Sequence, residues 1–178
     1  MESPAINPAV VTGVSGSIAS ARALRWAADE ASRRHGRLKV VLAWQTQPRA
    51  LYAPVVTAQE LASRRQQAVD ALAATVRAVL GPELAANVTT EVIEGNPERA
   101  LVDSSAGADL LVLGAASRRL AEGSIGPVVR TCLSCAHCPV VVVGPEDMSG
   151  GDPGDLADVA ADVSDDRKPA VARVMAAL

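Results

Sequence analysis

The stretch from Asp109 to Gly144 reads DLLVLGAASRRLAEGSIGPVVRTCLSCAHCPVVVVG, and its reading decides the fold. Two runs in it are wholly apolar, Leu110–Leu113 and Val140–Val143, and each ends on a glycine, Gly114 and Gly144. Runs without polar alternation are what strands buried on both faces look like. Between them a polar loop leads into a helical stretch, with its start expected at Gly123-Ser124. That is one strand-helix-strand unit of a parallel sheet, and the loop leaving its first strand opens where open α/β sheets bind ligands.

Working outward, the same alternation repeats. Val10–Val14 reads as a first strand. Ser15-Gly16-Ser17 supplies a turn and a helix N-cap. The first helix carries Ile18, Ala21, Leu24, Ala28 and Ala31 on one face to about His35, with Gly36 expected to stop it. Leu38–Trp44 is a second strand. Thr57-Ala-Gln-Glu60 has capping-box spacing and opens a second helix that runs to Gly81-Pro82. Asn87–Glu94, the least apolar strand, belongs near the sheet edge, and Asn96-Pro97 caps a third helix ending near Gly107. Strict alternation predicts an α/β fold with helices on both faces of a five-stranded parallel sheet, joined by right-handed crossovers.

Composition narrows the class. The chain has 178 residues, 49% of them apolar and 21% charged, as expected of one globular domain. Phe is absent and aromatics are 2%, so Ala, Val and Leu must build the core. No apolar run approaches a membrane span, and no secretory signal is legible at the N-terminus, so a cytoplasmic protein without membrane contact is expected. Of the net charge of -3, residues 146–178 hold eight acids and three bases, leaving 12 acids and 14 bases for residues 1–145. Neither part has a basic stripe, so nucleic acid is not an expected partner. The expected division is a lead over 1–8, a folded domain over 9–145 and an acidic, largely disordered tail over 146–178.

Two readings of the loop after the fourth strand stand side by side. Gly114, Ala115, Ala116, Ser117 and Gly123-Ser124 could cradle a phosphate with backbone N–H groups, with Arg118 and Arg119 adding charge. Alternatively the glycines only turn the chain and the arginines are solvated. Cys132-x2-Cys135-x2-Cys138, beside His137, matches part of a zinc or iron–sulfur spacing. It lacks a fourth cysteine, so packed thiols are expected and no metal site. No nucleophile, base and acid stand at a spacing that suggests catalysis, so an enzyme is not expected.

These segments together resemble the universal stress protein family. VVTGVSGSIASARALRWAADEA is similar to the family's opening V-V-G-V-D-G-S and S-x-x-A-L-x-x-A. Glu94-Gly-Asn-Pro97 resembles its G-x-P, and residues 107–143 resemble its last third, including Cys138-Pro139. The resemblance implies an adenine-nucleotide α hydrolase-like sheet of order 3-2-1-4-5 and a homodimer through the last strand, Val140, Val141, Val142 and Val143. It also implies a non-catalytic stress-response regulator that binds ATP or AMP, with Mg²⁺ accompanying the nucleotide. The pocket would fall on Gly13, Ser15, Ala43, Leu113, Gly114, Ser117, Arg118, Arg119, Gly123, Ser124 and Ile125. Against the family's G-x2-G-x9-G-[ST], Ser117 replaces the second glycine, the spacing to Gly123 is four short, and Ser15 replaces the signature aspartate. A nucleotide-independent dimeric interaction protein of the same fold, and a thiol- or metal-dependent protein using Cys132, Cys135 and Cys138, are the alternatives.

Overall fold

A computed structural model describes residues 9–44, 57–115 and 125–144. The lead over 1–8 and the acidic tail lie outside the described residues. Among those described, the order is β1 (Ala9–Gly13), α1 (Ile18–Arg33), β2 (Arg37–Trp44), α2 (Ala58–Leu80) and α3 (Pro82–Ala85). There follow β3 (Thr89–Glu94), α4 (Pro97–Ser104), β4 (Leu110–Gly114), α5 (Pro127–Cys135) and β5 (Val140–Val143).

All four strand pairings are parallel and the order is β3-β2-β1-β4-β5, as the alternation and the resemblance led us to expect. Successive strand residues point to opposite faces, so the sheet sorts them into two layers. Val10, Val40, Leu42, Leu110 and Val112 pack against α1 and α2 on one face. Val11, Val41, Leu111 and Leu113 pack against α4 and α5 on the other. Thr12 is the buried polar exception in the central strand, and its hydroxyl donates to the Val112 carbonyl at 3.0 Å. Strand β3 lies at one edge with its first two residues exposed, which explains its low apolar content.

The caps follow the sequence closely at helix N-termini. Ser17 accepts from the Ser20 N–H, the Thr57 and Glu60 side chains form a reciprocal capping box, and Asn96 accepts from Glu98 and Arg99 N–H. The second helix ends at Leu80 with Gly81 as its C-cap, as read, and Pro82 then starts the short helix α3. Two expectations need correction. Gly36 does not take the left-handed position that ends α1; His35 does, at φ 51°, while the Gly36 N–H closes onto the Ala31 carbonyl at 2.8 Å. Helix α5 begins at Pro127 with Gly126 as N-cap, not at Gly123-Ser124. Pro127 has no N–H and a fixed φ, which suits it to a first helical position.

Candidate functional site

Where β1 and β4 run side by side, their following helices leave in opposite directions along the sheet, and the strand order reverses. Such a switch point leaves a crevice at the carboxyl ends of the strands. Here it is a cavity of about 570 Å³, within the range that small-molecule sites occupy.

Its walls come from five elements. Gly13 ends β1, and a Cβ there would stand 2.9 Å from Leu101 Cδ2, so the glycine leaves room for the leucine from α4. Val41 and Ala43 come from β2 and Leu113 from β4, all on the α4/α5 face. Val128 and Val129 come from the first turn of α5, whose cap residue Gly126 offers no side-chain acceptor.

The polar lining is sparse and partly self-satisfied. Ser15 Oγ and Ser17 Oγ share a hydrogen bond at 2.9 Å. Ser20 Oγ accepts from the Ser15 N–H at 3.1 Å and donates to the Ser17 carbonyl at 2.8 Å. These bonds fix the turn between β1 and α1, with the Ser15 and Ser17 hydroxyls on the exposed side of the network. Across the cavity, Asn96 holds the start of α4, accepting from the Glu98 N–H at 2.7 Å. Glu98 follows, half-buried, and its Oε2 accepts from Thr131 Oγ1 of α5 at 3.1 Å. Among the described residues that line the cavity, Glu98 is the one that carries a charge.

The structure brings together Gly13, Ser15, Ala43, Leu113 and Gly114 in this lining. Ile125 is half-buried against the hydrophobic cluster beneath α5 and is not among the lining residues. Ser117, Arg118, Arg119, Gly123 and Ser124 lie outside the described residues. Gly114 serves packing first: a Cβ there would overlap the backbone of Ala19 and Ser20, so the residue lets α1 cross β4 closely. Since α5 starts at Pro127, the pair at its N-terminus is Gly126-Pro127, which is one residue short of the G-x2-G-x9-G-[ST] spacing and has no hydroxyl.

Val41, Glu98, Leu101, Val128 and Val129 were not singled out as site residues by the sequence. The Asn96-Pro97 cap did place Glu98 in a first helical turn, but only the strand order carries that turn to the ends of β1 and β2.

The cysteines do not converge. Cys132 is fully buried between α5 and the sheet, and its thiol is pushed up to about 11 by burial, then by the Glu98 charge and Cys135. Cys135 is exposed and Cys138 half-buried, with burial also raising the latter. Among the described residues no three His, Cys, Asp or Glu side chains gather as metal ligands. Likewise none of the described helices is long and apolar enough to cross a membrane.

Comparison with known proteins agrees with this architecture. Residues 8–144 match the model of the universal stress protein family. A universal stress protein of Mycobacterium tuberculosis is 32% identical over 165 residues, which is 93% of this chain and 58% of that protein. The chain thus spans less than two thirds of the length of that relative. Universal stress protein UspA from Lactobacillus plantarum superposes with a TM-score of 0.59 at 23% identity, covering 76% of this chain and 97% of its own. A universal stress protein solved in complex with cAMP covers 78% of this chain and 98% of its own at 22% identity and a TM-score of 0.49. The likeness to the Lactobacillus plantarum protein at 23% identity shows the fold alone.

Proposed function

The chain belongs to the universal stress protein family, and from that premise we propose that it is a non-catalytic regulatory domain that binds an adenine nucleotide, ATP or AMP, in the cavity between the β1 and β4 ends. The observation that carries this reading is the cavity's position and character: a slot of about 570 Å³ at the switch point, apolar on its walls and lined by a few hydroxyls. In this reading Val41, Ala43 and Val128 receive the purine, and the Ser15 and Ser17 hydroxyls meet the ribose. Gly13 and Leu113 form the floor. The uncapped N–H groups at the start of α5 face a phosphate, and Gly114, Ser117, Arg118, Arg119, Gly123, Ser124 and Ile125, from the end of β4 to the residues before α5 in sequence, are the further candidates for its site.

A bound nucleotide supplies differential binding free energy between conformations, which is how a non-catalytic domain transmits a signal. Among the described lining residues no nucleophile stands in contact with a base, and in this reading their work is to bind and orient. The site of action is the cytoplasm. The partner is a second copy through Val140–Val143, since β5 is an edge strand whose first three valines are half-buried in the single chain. The domain extends over 9–145, and 146–178 is an acidic segment that follows it in sequence.

Calorimetric titration with AMP and ATP, with and without Mg²⁺, tests the binding. Saturable heat with a matching rise in melting temperature is expected; no heat and no thermal shift at millimolar ligand would overturn it. For the partner, sedimentation over a concentration series is expected to show a dimer that Val141→Lys weakens. The alternative that the fold acts without nucleotide draws on one observation, that the Ser15, Ser17 and Ser20 network is satisfied without a ligand.

A further inference from the structure

We propose that Glu98 is a specificity-determining residue of this cavity and that it restricts the ligand to adenine compounds with no more than one phosphate. The inference rests on the reading of the cavity as an adenine-nucleotide site and deepens it.

Three features of the lining carry it. The first is charge. Glu98 is the charged side chain among the described lining residues, and its sign is that of a phosphate. The second is that the carboxylate is held in place. Asn96 caps the helix turn that bears it, Thr131 donates to Oε2 at 3.1 Å from the opposite helix, and a negative charge at the N-terminus of α4 is favoured by the helix dipole. The group therefore does not swing away from an incoming anion without breaking its bond to α5. The third is what the described residues of α5 offer an anion opposite it. At the start of α5, Pro127 contributes no N–H, which leaves Val128 and Val129 as the lining residues of that turn with N–H groups and no side-chain cap. Two N–H groups and a helix end suit one phosphate. A second and third would extend the negative charge in a cavity that Glu98 shares, where like charges repel over several ångströms in a medium less polar than water.

Titration of the full chain with adenosine, AMP and ATP in EDTA, repeated on Glu98→Gln, separates the outcomes. Wild type is expected to bind adenosine or AMP about tenfold or more tighter than ATP, and Glu98→Gln to bring ATP within about threefold of AMP. Thr131→Val, which removes the donor holding the carboxylate but keeps its charge, is expected to reduce the discrimination less. Thermal melts of each variant establish that the fold is retained. If ATP binds as tightly as AMP to wild type, or the gap is unchanged in folded Glu98→Gln, the inference fails while the adenine site stands. Tight ATP binding only with Mg²⁺, lost in Glu98→Gln, also overturns it, because Glu98 would then be holding the metal. No binding of any of the three ends both readings.

Discussion

The two faces of the sheet are packed to different ends. On one face, helices of 16 and 23 residues, α1 and α2, lie over Val10, Val40, Leu42 and Val112, and Ala23, Leu24 and Ala27 of α1 are fully buried there. On the other, α4 and α5 have 8 and 9 residues, and beside them stands the cavity. The same three central strands, β2, β1 and β4, feed both layers, so the difference lies in the helices. Among the described residues, the short helices leave the carboxyl ends of β1, β2 and β4 open to the cavity. One face holds the molecule together and the other keeps the space that function needs, a division the following changes are chosen to break or sharpen.

The largest effect is expected from Leu24→Ala on the closed face. The side chain is fully buried, and a loss of about 3–4 kcal/mol should appear as a fall in the urea midpoint. Leu101→Ala, 5% exposed but bordering the cavity, should lose less, because the void it leaves joins space that already exists. Equal losses would mean the two faces are not mechanically distinct. Next comes Gly114→Ala, whose added methyl meets the α1 backbone, not a side-chain end that can rotate away. About 2–3 kcal/mol is expected from such overpacking, and Gly13→Ala, which meets only the tip of Leu101, should lose visibly less.

A pH dependence follows from Cys132. Its thiol is raised from 9.0 to about 11, chiefly by burial. A folded-state pKa above the unfolded one means this contribution to stability is whole below about pH 9 and lost as pH climbs towards 11. Melting temperatures should therefore drop across that window by an amount worth about 2 kcal/mol. Cys132→Ala should flatten the drop whatever it does to stability at neutral pH, and an unaltered slope would remove the assignment. The exposed Cys135 should react with a thiol reagent well before Cys132.

The smallest changes concern the ends of the closed-face helices. His35 holds a left-handed conformation that side chains with a Cβ disfavour, so His35→Gly is expected to stabilise by roughly 1 kcal/mol in the same urea assay. Thr57→Ala removes one half of the capping box on α2 and should destabilise by about 1 kcal/mol or less, since that end is exposed.

Much of the fold was legible because its signals are local. Leu110–Leu113 announces a buried parallel strand without reference to anything else, whereas Val140–Val143, expected to be buried on both faces, is a parallel edge strand with its first three valines half-buried, because no further strand of the chain covers it. Ser17, Thr57 and Asn96 are acceptors placed where free N–H groups need them, and all three cap as read. The misplacements share a cause as well. Gly36 was the obvious left-handed residue, yet the Ala31 carbonyl accepts from the Gly36 N–H, which assigns the strained position to His35. Gly123-Ser124 had the look of a helix cap, but the next glycine, followed by a proline that suits a first turn, is where α5 starts. Competing local signals three residues apart are settled by packing of the helix on the sheet.

The lining of the cavity was legible only at the strand ends. Gly13, Ser15, Ala43, Leu113 and Gly114 lie at or just after the ends of β1, β2 and β4, so the resemblance could place them, and they do line the cavity. Glu98 and Val128 sit in helix turns with nothing in their neighbours to mark them. What the sequence determined by itself was the alternation of elements, the caps and the apolar composition of the core, because each depends on residues within one or two turns. What the tertiary structure decided was which helix ends meet. The order β3-β2-β1-β4-β5 brings the starts of α4 and α5 to the same end of the sheet, and the Thr131–Glu98 bond joins them across 33 residues of chain. That meeting gives the cavity its charge, and no local pattern encodes it.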